Sequence, residues 1–259
     1  MGTLMFAIFM SFKWLTWWGA RAGAYPSTGR SLGYMLAWPG MDANTFLDMK
    51  AKPPKPATAE WASAILSTGI GAMLLWGVAR LVPTHQMLLA GWIGLIGLGV
   101  LVLFGVFHLL ALFWKLAGVN ACPIMNAPAI SRSPSDFWGA RWNLAFRDLA
   151  YAFIFRPMVP RLGIGGATMV TFLVSGLMHE LVLSLPAEGG YGLPTCYFVL
   201  QGIAVLIEHS ALGRRRGLDH GLSGWVYALL VVGFPAFWLF HPPFIARVMI
   251  PFMRAIGAL

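Results

Sequence analysis

Charge is scarce in this sequence, and acid scarcest of all. Asp and Glu number 9 in 259 residues against 18 Lys and Arg, and charged residues make up only 10% of the chain. A soluble globular domain carries about 25%, so an ordinary water-soluble globule is excluded. Cysteine is nearly absent as well. Cys122 and Cys196 stand far apart, fit neither a CxxC nor a zinc-ligand spacing, and exclude a disulfide framework. No HExxH, no GxSxG elbow and no repeat of fixed period occurs. Apolar residues fill the space instead, at 58% of the chain and a mean hydropathy of +0.72. The expected fold class is an all-α integral membrane protein, a multi-span helical bundle with interfacial helices. One domain is expected over residues 1–259.

A net charge of +9 raises nucleic acid as a partner for a soluble chain. Here no basic run interleaved with aromatics lies outside the apolar stretches, so no nucleic-acid partner is expected. The basic residues read as topology. Segments 19–60, 114–164 and 213–221 hold 14 of the 18 Lys and Arg, whereas 83–86 and 186–192 hold none. The positive-inside rule then places the three basic segments on the cytoplasmic side.

A bilayer core of about 30 Å takes roughly 20 apolar residues per crossing helix. Clear spans are predicted at about 61–82, 87–113, 166–185, 193–212 and 222–240. Residues 244–259 are apolar but carry Arg247 and Arg254 and read as a partial or tilted span. Residues 4–18 read as an interfacial helix with Lys13 snorkelling, as one end of a span, or as a signal peptide before Ala20-Arg21-Ala22. Segment 19–60 reads as a cytoplasmic linker or interfacial segment, stiff and extended where Lys50-Ala51-Lys52-Pro53-Pro54-Lys55-Pro56 closes it. Residues 144–160 are amphipathic and are expected at the interface.

Ionisable groups inside apolar helices are costly and default to a functional reading. In 166–185, Thr171, Ser175 and His179 recur every four residues and share one helical face, with Glu180 beside it. Such a stripe is expected to look into a bundle interior or a cavity, the bland alternative being a hydrogen bond from His179 to a neighbouring helix. Upstream, Ser135-Asp136-Phe137-Trp138-Gly139-Ala140-Arg141-Trp142-Asn143 sets aromatics among polar groups, which suits a membrane–water boundary. An interfacial anchor explains all of it except the Asn143 carboxamide. Glu208-His209 ends a span, and with Gln201 seven residues before Glu208 a polar face is possible, but the pair reads rather as a structural cluster at a helix end. Nothing has metal-ligand spacing, so no metal is expected.

The 135–143 stretch, followed by Phe172-Leu173-Val174-Ser175-Gly176-Leu177-Met178-His179-Glu180, resembles the wax-synthase-like branch of the membrane-bound O-acyltransferase (MBOAT) family. Gly29-Arg30-Ser31-Leu32-Gly33-Tyr34 and Trp38-Pro39-Gly40-Met41-Asp42 are similar to an upstream element of that branch. The motif core covers about 135–212. Five clear spans are fewer than the family pattern suggests. The resemblance implies acyl transfer from acyl-CoA to a hydroxyl within an intramembrane catalytic cavity, with the family's His on His179 and its Asn on Asn143. It calls for acyl-CoA as co-substrate, no cofactor, and a hydroxyl-bearing lipid acceptor.

The chemistry of those residues is compatible. An alcohol needs a base to become a good nucleophile, and imidazole suits that near neutral pH. A carboxamide N–H can stabilise the oxyanion formed at the thioester carbonyl. The expected catalytic pair is therefore His179 and Asn143. Glu180, Ser175 and Trp142 are expected in support, and Arg141 and Trp138 in substrate binding, with Arg132, Arg147, Arg156 and Arg161 as further candidates for the CoA phosphates. The leading reading is an acyl-CoA:alcohol O-acyltransferase making wax or related lipid esters. Acylation of a sterol, glycan or secondary-metabolite hydroxyl, a proton-coupled transporter and a non-catalytic scaffold stand as alternatives. The expected location is a multi-pass membrane position, in the cytoplasmic membrane of a bacterium or the endoplasmic reticulum of a eukaryote.

Overall fold

The computed structural model describes residues 2–259, and among them every regular element is helical. The chain begins with α1 (Gly2–Ala24), α2 (Thr28–Ala37) and α3 (Ala43–Leu47). The long apolar helices α4 (Thr58–Leu81) and α5 (Thr84–Leu116) follow. A loop then leads through a short helical turn at 134–141 into α6 (Leu144–Ala187). The remainder is α7 (Leu193–His209), α8 (Ala211–Arg215), α9 (Gly221–Leu239) and α10 (242–255). Four of these, α4, α5, α6 and α9, are long and apolar enough to cross a membrane. This is an all-α integral membrane protein.

The fifth expected span is shorter than its apolar composition suggests. Helix α7 has 17 residues, about 26 Å at 1.5 Å per residue. It stops at Ser210, whose extended backbone (φ −70°, ψ 164°) lets its hydroxyl accept the Gly213 N–H and start α8. A Ser three residues before a Gly is the local signal for that stop.

Helix α6 runs through both the amphipathic stretch 144–160 and the span at 166–185. The composition shift between them coincides with a break at Gly163, which has φ 65° and ψ 178°. That backbone region is open essentially to glycine alone, so α6 is two limbs meeting at one residue.

Segment 19–60 is not a linker throughout. Its longest stretch without helix is the Pro-rich end, 48–57. Ahead of it, Tyr34, Trp38, Phe46 and Leu47 are buried with Ala111 of α5 and Val119 and Ala121 beyond it. Ser27 caps α2 and Asp42 caps α3 through the backbone N–H groups of Arg30 and Thr45. Polar composition concealed a small aromatic core, because the caps and turns of two short helices supply the polar residues.

Lys13 does not snorkel outward either. Its side chain is fully buried, Nζ donates to the Gly40 carbonyl at 2.7 Å and lies 3.2 Å from the centre of the Tyr34 ring. Residues 244–259 are likewise packed rather than stretched out. Ile245, Met249, Ile250 and Met253 join a core with Leu75 of α4 and Tyr197 and Phe198 of α7. Arg247 ties this element to the end of α6 through the carbonyls of Ala187 and Glu188, both at 3.0 Å.

Candidate active site

The second limb of α6 carries the polar stripe, and its hydrogen bonding is internal. Thr171 Oγ1 donates to the Ala167 carbonyl at 2.8 Å, and Ser175 Oγ to that of Thr171 at 2.9 Å. His179 Nδ1 lies 2.7 Å from the Ser175 carbonyl. Back-bonding to the carbonyl four residues earlier is a standard solution for helical Ser and Thr. The hydroxyls of the stripe are therefore satisfied within the helix itself. His179 is the exception. A carbonyl oxygen only accepts, so Nδ1 carries the proton and Nε2 presents its lone pair. No hydrogen bond engages Nε2 among the described residues.

Helix α7 lies against this limb. Gly176 makes the contact possible, since a Cβ there would sit 2.8 Å from the Thr195 Cα. Phe198 packs at 4.4 Å, centre to centre, against the His179 ring, tilted 40° to it. Beside it, Glu180 Oε1 accepts from the backbone N–H groups of Gly192 (3.0 Å) and Thr195 (3.1 Å) and from the Thr195 hydroxyl (2.8 Å). A carboxylate at a helix N-terminus satisfies its orphan donors and complements its dipole. Glu180 thus anchors the start of α7. Its other oxygen, Oε2, is buried with no hydrogen-bond partner among the described residues.

The 134–141 turn brings the first motif to the same helix. Ser133 caps it by accepting the Asp136 N–H, with Pro134 at its first position. Trp138 packs on Phe172 of α6 at 5.9 Å and on Phe198 of α7 at 5.5 Å, and its indole N–H donates to Gln201 Oε1 at 3.2 Å. Trp138 and His179 thereby share Phe198 as a neighbour. Trp142 stacks on Phe137 at 5.3 Å and closes the turn through its N–H to the Phe137 carbonyl.

Asn143 follows in the left-handed region, at φ 44° and ψ 58°. Asn tolerates that conformation better than most residues. Its backbone N–H faces Met125 Sδ at 3.3 Å, and its carboxamide makes no hydrogen bond among the described residues. No polar or ring contact joins Asn143 to His179. Arg141 is heavily engaged: Nε pairs with Asp136 at 2.7 Å, and Nη1 reaches the carbonyls of Asn126 and Ala127, both at 3.4 Å. Arg147 donates to the Gly139 carbonyl and pairs with Asp148. These contacts hold the turn and its neighbouring loop.

Two pockets are formed nearby, and His179 lines neither. One, of about 220 Å³, lies between the upstream element (Trp38, Met41, Asp42) and α6 (Leu144, Arg147, Asp148). The other, about 160 Å³, lies between Phe137 and Trp225, Leu229 and Val232 of α9. Phe198 had no signal in the sequence beyond being apolar. Gln201 had one, a carboxamide in an otherwise apolar helix.

Comparison with known proteins converges on the same segment. Residues 121–200 match the Membrane bound O-acyl transferase family. The protein named "Probable long-chain-alcohol O-fatty-acyltransferase 2" from Arabidopsis thaliana is 33% identical over 147 residues, 51% of this chain and 41% of the relative. The "Long-chain-alcohol O-fatty-acyltransferase" of Simmondsia chinensis is 32% identical over 140 residues, 48% of this chain and 39% of the relative. The matched region spans about two-fifths of the length of these curated relatives. The match contains the Trp138–Asn143 turn, the His179 limb and the start of α7, the three pieces that meet around Phe198. Through that region, about half of the chain, it is similar to the membrane-bound O-acyltransferase family and to its long-chain-alcohol O-fatty-acyltransferases.

Proposed function

We propose that the protein is an acyl-CoA:alcohol O-acyltransferase that joins a fatty acyl group to a long-chain alcohol. The relatives' names supply the acceptor class and the fatty acyl donor. The observation that carries the chemistry is the His179 tautomer: with Nδ1 held by the Ser175 carbonyl, Nε2 is the basic nitrogen.

In this reading the acceptor hydroxyl donates its proton to Nε2 as its oxygen attacks the thioester carbonyl. The carbonyl π pair moves onto oxygen, and the unbonded carboxamide of Asn143 stabilises that charge. Collapse of the tetrahedral species breaks the C–S bond, and the imidazolium returns its proton to the departing CoA sulfur. No covalent acyl-enzyme is needed. Arg141 retains Nη2 for a phosphate of CoA after its contacts to Asp136 and two carbonyls. The basic segments face the cytoplasm, where the donor arrives. Glu208 supports this reading over proton-coupled transport, because both of its carboxylate oxygens accept from Ser135 and tie the first motif to α7.

The test is ester formation by detergent-solubilised protein with labelled palmitoyl-CoA and a panel of alcohols, sterols and diacylglycerol. The expected result is a wax ester, with CoA released only when an alcohol is present and product lost in His179→Ala. CoA release without acceptor, or ester formation undiminished in His179→Ala, would overturn the assignment.

A further inference from the structure

Helix α7 holds the two motifs together from one side. Thr195, Phe198, Gln201 and Glu208 fall within a single face of it at about 100° per residue, and each contacts a motif segment. Thr195 takes Glu180, Phe198 takes the rings of His179 and Trp138, and Gln201 takes the Trp138 indole. The last contact is the most demanding. Glu208 is 2% exposed, and its carboxylate is spent on one residue of the first motif. Oε2 accepts the Ser135 backbone N–H at 2.9 Å, and Oε1 the Ser135 hydroxyl. His209 Nδ1 stands 3.6 Å from Oε1. A buried carboxylate is stable only when donors surround it, and two of these donors belong to the turn that leads into Asn143.

We propose that Glu208 is a positioning residue for acyl transfer. By fixing Ser135 to the end of α7, it sets the register of the 134–141 turn, and with it Asn143, relative to His179 on the helix that α7 also holds. Neither Glu208 nor Ser135 touches substrate. Their effect reaches the reaction through geometry, where a displacement of about 1 Å costs about 100-fold in rate. The inference rests on the acyl-transfer reading.

The experiment is a double-mutant cycle with Glu208→Gln, Ser135→Ala and the double variant, with Ser135→Thr as the conservative control. It is read as kcat, KM for palmitoyl-CoA and for alcohol, and unfolding midpoint in detergent. The expected result is a kcat about 10-fold lower in each single variant, KM values within twofold of wild type and midpoints within a few degrees. The double variant should be no slower than the slower single one, and Ser135→Thr should restore the rate. Additive losses, or losses that vanish once rate is expressed per folded molecule, overturn the proposal. An active wild type with additive variants defeats this inference alone. A wild type silent with every acceptor defeats the acyl-transfer reading and this inference with it.

Discussion

Glu180 and Thr195 are joined twice, through the Thr195 backbone N–H at 3.1 Å and its hydroxyl at 2.8 Å, both received by the same carboxylate oxygen. That oxygen also takes the Gly192 N–H, so one side chain on α6 starts α7. Glu180→Ala strands three donors and is expected to cost about 2–3 kcal/mol. Glu180→Gln keeps an acceptor oxygen and is expected to cost about 1 kcal/mol. Thermal unfolding of the purified protein checks the ranking, and a Glu180→Ala variant as stable as wild type would remove the anchoring role.

Ser175 and His179 separate cleanly by substitution. The Ser175 hydroxyl points back to Thr171, and only its backbone carbonyl reaches His179. Ser175→Ala is therefore expected to leave turnover within about threefold of wild type, whereas His179→Ala loses about 100- to 10,000-fold, the usual contribution of general acid–base catalysis. Steady-state ester synthesis measures both. A large loss in Ser175→Ala would mean the hydroxyl acts in the reaction after all.

The close approach of α6 and α7 yields a steric prediction. A Cβ at Gly176 meets Thr195 Cα at 2.8 Å and Phe198 Cβ at 3.4 Å, with backbone as the nearer obstacle. Gly176→Val should destabilise the protein by about 1–3 kcal/mol through overpacking and lower activity with it by shifting Phe198 from His179. Wild-type stability in that variant would show that the helices stand farther apart than this.

Lys13 gives stability a pH dependence. Burial lowers its pKa from 10.5 to about 6, with the Tyr34 ring and the Gly40 carbonyl against its ammonium. Between pH 6 and 10.5 the unfolded chain binds the proton that the folded chain has released, so stability rises with pH across that window. Below about pH 6 both forms are charged and the slope disappears. Helix α1 lies outside the four long spans, so its docking is open to titration. Unfolding midpoints from pH 6 to 9 should climb in wild type and stay flatter in Lys13→Met. Equal slopes in both would place the titrating group elsewhere.

The spans and both motifs were legible because they rest on signals that short stretches carry: apolar length, a four-residue polar period, and residue types packed into nine positions. The partnerships were not legible. Nothing local to Lys13 says that it turns toward Gly40, 27 residues away. Likewise nothing local to Glu208 says that it meets Ser135, 73 residues away. Composition read 19–60 as a linker because Ser27 and Asp42 are polar, although each is polar in order to cap a helix whose other face is buried. For the stripe, periodicity found the right face, but the hydroxyls bond within their own helix, a choice that spacing alone does not distinguish from facing a cavity.

The internal bonding of that stripe bears on the order in which the site is assembled. A helix whose Thr171 and Ser175 hydroxyls and His179 Nδ1 are all satisfied by its own backbone can enter a bilayer before its neighbours arrive. Glu180 is the member left without donors until then, because they belong to the start of α7. Insertion of the limb and maturation of the site are thus separate events. The second occurs when α7 docks, delivering donors to Glu180 and Phe198 to His179 in one movement, so that a nascent chain lacking α7 carries the basic imidazole without its surroundings.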